Sequence, residues 1–149
     1  MKYLEDFSVG QVLKFKAAGL SAAQIKEFAE EWDPQQLHLD EEYASTIHGS
    51  LIASGFQTMM IVFQPVMREL MPDVANIGGM GFNNLRWLQP LRPNEDLDVQ
   101  LVIDSLTPSR SKPDRGVLQY TLEARNPAGD VIFRTEVPVM IKRKNGGIL

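Results

Sequence analysis

The sequence contains no cysteine. Such a chain forms no disulfide, offers no thiolate nucleophile and gives no sulfur ligand to a metal. Histidine is almost as scarce. His38 and His48 lie in different segments without spaced ligands around them, which does not make a metal site. Positive charge is not in excess either: the formal net charge is −4. Acids cluster early (Glu27, Glu30, Glu31, Asp33), and bases are more frequent late (Arg110, Lys112, Arg115, Arg125). No basic stripe or recognisable module points to nucleic acid, although a local basic patch for a small anion stays open. Long apolar runs are missing too. The opening residues, MKYLEDFSVGQ, carry acids at Glu5 and Asp6 where a leader would be apolar. No uninterrupted run approaches the ~20 residues of a bilayer span. The expectation is a soluble cytoplasmic protein with no membrane segment, no nucleic-acid partner and no metal.

What is present suffices for a core. With 149 residues, 44% of them hydrophobic, the chain reads as one globular domain over 1–149. Val12 to Ala18 alternates as a first strand. Ser21 is placed to cap a helix running to Trp32, with Ile25, Phe28, Ala29 and Trp32 along one apolar stripe. Pro34 disfavours helical geometry at Asp33 and ends that helix. Asp40 is suited to cap a second helix, ending near Ile47–Gly49, with Glu41 and Glu42 in its first turn. The stretch SLIASGFQTMMIVFQPVMREL is the most apolar, and its side chains surround a helix on most sides, which predicts burial. IGGMG, residues 77–81, reads as a turn into the next strand. It matches no phosphate-binding or dinucleotide fingerprint. FNNLRWL, DLDVQLVIDSL, GVLQYTLEARN and DVIFRTEVPVMIKR follow as about four antiparallel strands separated by turn residues. Helices first and strands after predict an α+β fold, a sheet wrapped on one long helix.

Chemistry concentrates in WDPQQLHLD, residues 32–40. Asp33 and His38, five residues apart, are either an acid–base pair or a helix end followed by an ordinary loop. Ser54 in ASG is not a nucleophile elbow, because the Gly-x-Ser-x-Gly pattern and its strand–turn–helix setting are both missing. His48 has no motif around it and reads as a neighbour of a helix end. Arg110, Lys112 and Arg115 flank a turn, either as a solvated loop or as contacts for anionic phosphates.

The order of elements, with WDPQQLHLDEEYA followed by GSLIASGFQT, resembles the MaoC-like dehydratases, which include the (R)-specific enoyl-CoA hydratases. The family motif is roughly Asp-x-Asn-Pro-x-His-x-Asp. Asp33, His38 and Asp40 match it, while Gln35 and Gln36 stand where asparagine and proline are usual. The resemblance covers nearly the whole chain and extends to LRWLQPLRPNEDL and SRSKPDRG. It implies the hot-dog fold, an antiparallel sheet around a central helix, assembled as a homodimer or higher homo-oligomer.

The resemblance also implies an activity. Water is added across the double bond of a 2-enoyl thioester, or removed in reverse, with coenzyme A or acyl carrier protein as part of the substrate and no other cofactor. Asp33 would activate water and return a proton to the α-carbon, while His38 would orient the water and share the proton work. Burial against Trp32 and the carboxyl end of the helix are expected to raise the pKa of Asp33. The thioester oxygen needs preorganised donors. The family uses the equivalent of Gly55 for this, with Ser54, where many relatives carry histidine, and Gln35 as its neighbours in substrate binding. Two other functions compete: a hot-dog acyl-CoA thioesterase, and a non-catalytic acyl-CoA-binding subunit.

Overall fold

The computed structural model describes residues 1–144. A short 3-10 turn (Leu4–Asp6) precedes β1 (Val12–Ala17), α1 (Ala22–Trp32), α2 (Gln36–Leu39), α3 (Glu41–His48) and α4 (Gly55–Glu69). A second 3-10 turn (Met71–Asp73) leads to β2 (Asn76–Gly79), β3 (Asn83–Trp87), β4 (Leu97–Pro108), β5 (Arg115–Arg125) and β6 (Val131–Lys142). The strands form one antiparallel sheet in the order β1-β4-β5-β6-β2, with β3 also pairing β6 on that outer side.

Alternation along the long strands decides which face is covered. Leu97, Val99, Leu101 and Ile103 of β4, and Leu118, Tyr120, Leu122 and Ala124 of β5, are buried, while the residues between them are more open. Val62 and Val66 of α4 are completely buried in the same core. Each such side chain is worth about 1.5–3 kcal/mol relative to exposure. This is the predicted sheet around a helix.

Local signals position the helices as expected in most places. Ser21 accepts from the Gln24 N–H and Asp40 from the Tyr43 N–H, capping α1 and α3. Gly49 closes α3 at φ 81°, a left-handed conformation that glycine adopts without a Cβ clash. Four expectations need correction. Residues 36–39 form the extra helical turn α2 rather than loop. Asn76–Gly79 is strand β2, paired with Val139–Ile141, rather than a turn. Trp32 is 67% exposed and off the buried stripe of α1, which holds Ile25 and Ala29. Finally, α4 is not covered all round: Phe56, Met60 and Met67 lie open along one side. Within one chain the sheet reaches only the face carrying Val62 and Val66.

Candidate active site

Three segments converge at the amino end of α4. Asp33 follows the last residue of α1 with φ −156° and ψ 70°, out of helical geometry where Pro34 demands it. The single turn of α2 then carries His38 inward, leaving it 6% exposed. The stretch before α4 is tied down on two sides, the Ile52 N–H donating to Leu37 O and the Ala53 N–H to Leu91 O at 2.9 Å. Ser54 caps α4 and is completely buried.

The side chains meet around one carboxylate. Ser54 Oγ donates to Asp33 Oδ2 at 2.6 Å, and Gln35 Nε2 donates to Asp33 Oδ1 at 2.6 Å. His38 Nε2 stands 3.4 Å from Asp33 Oδ2. The other ring nitrogen, Nδ1, lies 2.8 Å from Ile52 O. A carbonyl only accepts, so Nδ1 carries the proton and the neutral ring presents an Nε2 lone pair to Asp33. The two acceptors are too close for one water to bridge them symmetrically, but a water beside them can donate to either. Protonation of the ring instead makes a direct ion pair. The pair can therefore orient and deprotonate water when the imidazole is neutral and the carboxylate charged.

The expected rise in the pKa of Asp33 is overturned. The Ser54 hydroxyl, foremost, holds this carboxyl below the usual carboxylate range; burial pushes the other way, and Gln35, together with the charge of His38 when its ring is protonated, pulls down with Ser54. Exposed Trp32 supplies no apolar cover. Gln35, expected beside the substrate, spends its amide on Asp33.

Gly55 opens α4, and its N–H at the first helical position has no intrahelical acceptor. The next N–H, of Phe56, already reaches Ser54 Oγ at 3.3 Å. Gly55 thus offers the freest donor beside the Asp33–His38 pair. A cavity of about 310 Å³ is lined by His38, Gly55, Thr58, His48, Trp87 and Leu91, among others.

The description of a MaoC-like domain fits residues 6–124, which include every residue named in this site. The chain belongs to the MaoC-like domain family. It is 33% identical over 141 residues to the uncharacterized protein YdeM of Bacillus subtilis (strain 168), an alignment covering 94% of this chain and 99% of that one. The MaoC-like dehydratase from Rhodospirillum rubrum is 35% identical with a TM-score of 0.81, over 97% of this chain and 99% of the other. The R-hydratase PhaJ1 from Pseudomonas aeruginosa shares the fold at 22% identity and a TM-score of 0.76, over 95% and 86% of the two chains. The hot-dog architecture expected from the sequence is therefore the fold of this MaoC-like chain.

The basic residues Arg110, Lys112 and Arg115 of the MaoC-like chain lie in or beside the loop expected for them, away from the Asp33–His38 pair. Arg110 and Lys112 sit in the loop between β4 and β5, and Arg115 is engaged by Asp114 at 2.8 and 3.1 Å. That loop adjoins the Arg115–Lys142 pairing, whereas Trp87, beside Gly55, pairs with Phe133 at the other end of β6. Within one chain the basic loop and the Asp33–His38 pair are not brought together. Two cavity residues escaped the sequence reading. His48 and His38 line the same cavity from different helices, and no motif links them. Trp87 donates from Nε1 to Gly55 O at 2.9 Å across 32 positions of sequence, a separation at which local pattern is silent. Among the described residues no group of three or more His, Asp or Glu could hold a metal, and no helix is long and apolar enough to cross a membrane.

Proposed function

We propose that this MaoC-like chain hydrates 2-enoyl thioesters, or dehydrates the 3-hydroxy product in reverse, with coenzyme A or acyl carrier protein as the acyl carrier. The observation that carries the reading is the 3.4 Å approach of His38 Nε2 to Asp33 Oδ2, beside the free N–H of Gly55. A water held beside the imidazole and carboxylate attacks the β-carbon as its O–H proton passes to the pair. The π electrons of the alkene shift toward the thioester carbonyl, whose oxygen is received by the Gly55 N–H. The α-carbon then takes a proton from Asp33, and the site returns to its starting state. Positioned acid–base groups of this kind supply roughly 10²–10⁴ in rate. The R-hydratase likeness supports the fold required for this chemistry.

The open side of α4 supports assembly of the enzyme as a homodimer. Phe56 and Met60 line a groove of about 570 Å³ with Phe82, next to the outer strands β2 and β3. A second copy would bury this apolar surface and meet an unpaired strand edge.

Crotonyl-CoA and the purified protein test the activity. Loss of the conjugated-enoyl absorbance without release of thiol is expected, and Asp33→Asn should abolish it. Release of free thiol would instead establish a thioesterase. Binding with no chemistry, unchanged by Asp33→Asn or His38→Ala, would establish a non-catalytic acyl-binding subunit.

A further inference from the structure

We propose that Trp87 is a substrate-binding residue whose indole forms the wall holding the thioester end of the acyl chain against Gly55. The inference rests on the hydratase reading and adds a residue to it. A Cβ built on Gly55 would lie 2.8 Å from Trp87 Cε2, 3.0 Å from Nε1 and 3.1 Å from Cζ2. The nearest atom is the ring-fusion carbon, and two of its bonded neighbours, Nε1 and Cζ2, are slightly farther. That ordering belongs to a point above the ring, since an approach in the ring plane would meet Nε1 or Cζ2 first. The indole therefore lies face-on over Gly55. Space that a glycine was expected to leave for a ligand is filled by this ring.

Two contacts hold the ring. Its N–H donates to Gly55 O at 2.9 Å, and its face or edge meets Phe133 in a T-shaped pair with centroids 6.5 Å apart. Even so, 48% of Trp87 remains accessible, and it lines the cavity that also holds His38. A large aromatic side chain fixed on two sides and open on the cavity side is a binding wall. An oxygen received by the Gly55 N–H must lie beside the indole. The indole N–H is already spent, so the tryptophan contributes contact area, exclusion of water and a favourable sulfur–aromatic surface for the thioester. It also polarises the peptide bearing the Phe56 N–H, by bonding to the carbonyl of that same peptide.

The chain has two tryptophans, so Trp32→Phe leaves Trp87 as the only indole emitter, and Trp32 is exposed and outside the site. This variant is titrated with butyryl-CoA, which is saturated and cannot be hydrated, and with free coenzyme A, while calorimetry follows binding. The expected result is a saturable change in Trp87 emission that tracks butyryl-CoA occupancy and is smaller with free coenzyme A. With crotonyl-CoA, Trp87→Phe keeps kcat and raises KM about threefold. Trp87→Ala lowers kcat/KM about tenfold or more through loss of orientation. Circular dichroism checks folding, and Trp87→Phe decides if the alanine variant does not fold. Butyryl-CoA binding without any emission change, or kcat/KM within about twofold of wild type in the folded Trp87 variants, would overturn this assignment and leave the hydratase reading intact. Failure of both thioesters to bind would overturn the hydratase reading and this assignment with it.

Discussion

Ser54 joins two jobs that a different side chain would separate. Its hydroxyl donates to Asp33 Oδ2 and accepts from the Phe56 N–H, so one oxygen both caps α4 and fixes the carboxylate. Removing it has a predictable sign. Asp33 has a folded-state pKa below its unfolded value, so its contribution to stability is present above the ordinary carboxylate range and is lost as pH falls through the lowered folded value. Ser54→Ala removes the largest cause of that lowering. The acidic limb of the kcat/KM profile should move to higher pH, toward the ordinary carboxylate value, provided that Asp33 is the base reported by that limb. Urea unfolding near neutral pH should register a loss of about 1–3 kcal/mol, from the cap and the charge-assisted bond together. The loss should shrink in acid, where the carboxyl is protonated. An unmoved acidic limb would mean that Asp33 is not that base. Gly55 makes a second prediction at this scale. Gly55→Ala puts a methyl 2.8 Å from the indole and should destabilise by about 1–3 kcal/mol through overpacking. In a Trp87→Ala background the same substitution should cost far less, and a double-mutant cycle by urea unfolding measures that coupling.

Among the helices, α2 and α3 explain why the motif ends in an aspartate. Asp40 closes α2 and its Oδ1 accepts from the Tyr43 N–H at 3.0 Å, starting α3 one residue later. It touches neither Asp33 nor the cavity. Asp40→Ala should lower stability by about 1 kcal/mol, with Asp40→Asn restoring most of it and kcat nearly unchanged in both. A collapse of kcat in folded Asp40→Asn would assign it a role in the chemistry instead. This element also marks what sequence could and could not deliver. The caps at Ser21 and Asp40, the stop before Pro34 and the alternation of β4 to β6 are local patterns, and each corresponds to the observed element. The turn at Gln36–Leu39 escaped because four residues carry too little periodicity to register. Strand β2 escaped because Asn-Ile-Gly-Gly has turn composition and becomes a strand only by pairing with β6. The spacing of Asp33 and His38 leaves a pair and an ordinary loop equally open; the resemblance to the MaoC-like motif marks them as a pair, and the environment of the carboxylate differs from the one expected. The hydroxyl that dominates it comes from 21 residues away, and the neighbouring Trp32 points to solvent.

For the whole molecule, the apolar composition of α4 predicts burial, yet within one chain a side of this helix stays open. Phe56, Met60 and Met67 are 60%, 52% and 45% exposed, and Phe82, which lines the same groove, is 50% exposed. Contiguous surface of this kind is uncommon on a lone soluble domain. This patch adjoins β2 and β3, where the sheet has an outer edge that no other strand among the described residues covers. A two-fold partner would bury the same patch on each copy, and a stable interface of this type removes on the order of 1,600 Å² from water. Sedimentation equilibrium at micromolar protein should therefore report twice the chain mass or a higher even multiple. Met60→Glu places a charge in the middle of the patch without touching the Asp33–Ser54–His38 cluster, and should shift the mass toward the single chain. Because Phe56 follows Gly55 directly, loss of the partner should also weaken thioester binding, seen as a higher KM that recovers as protein concentration rises. A wild-type chain that sediments as a monomer at all concentrations would remove the partner from this picture, leaving the open face of α4 without the role assigned to it.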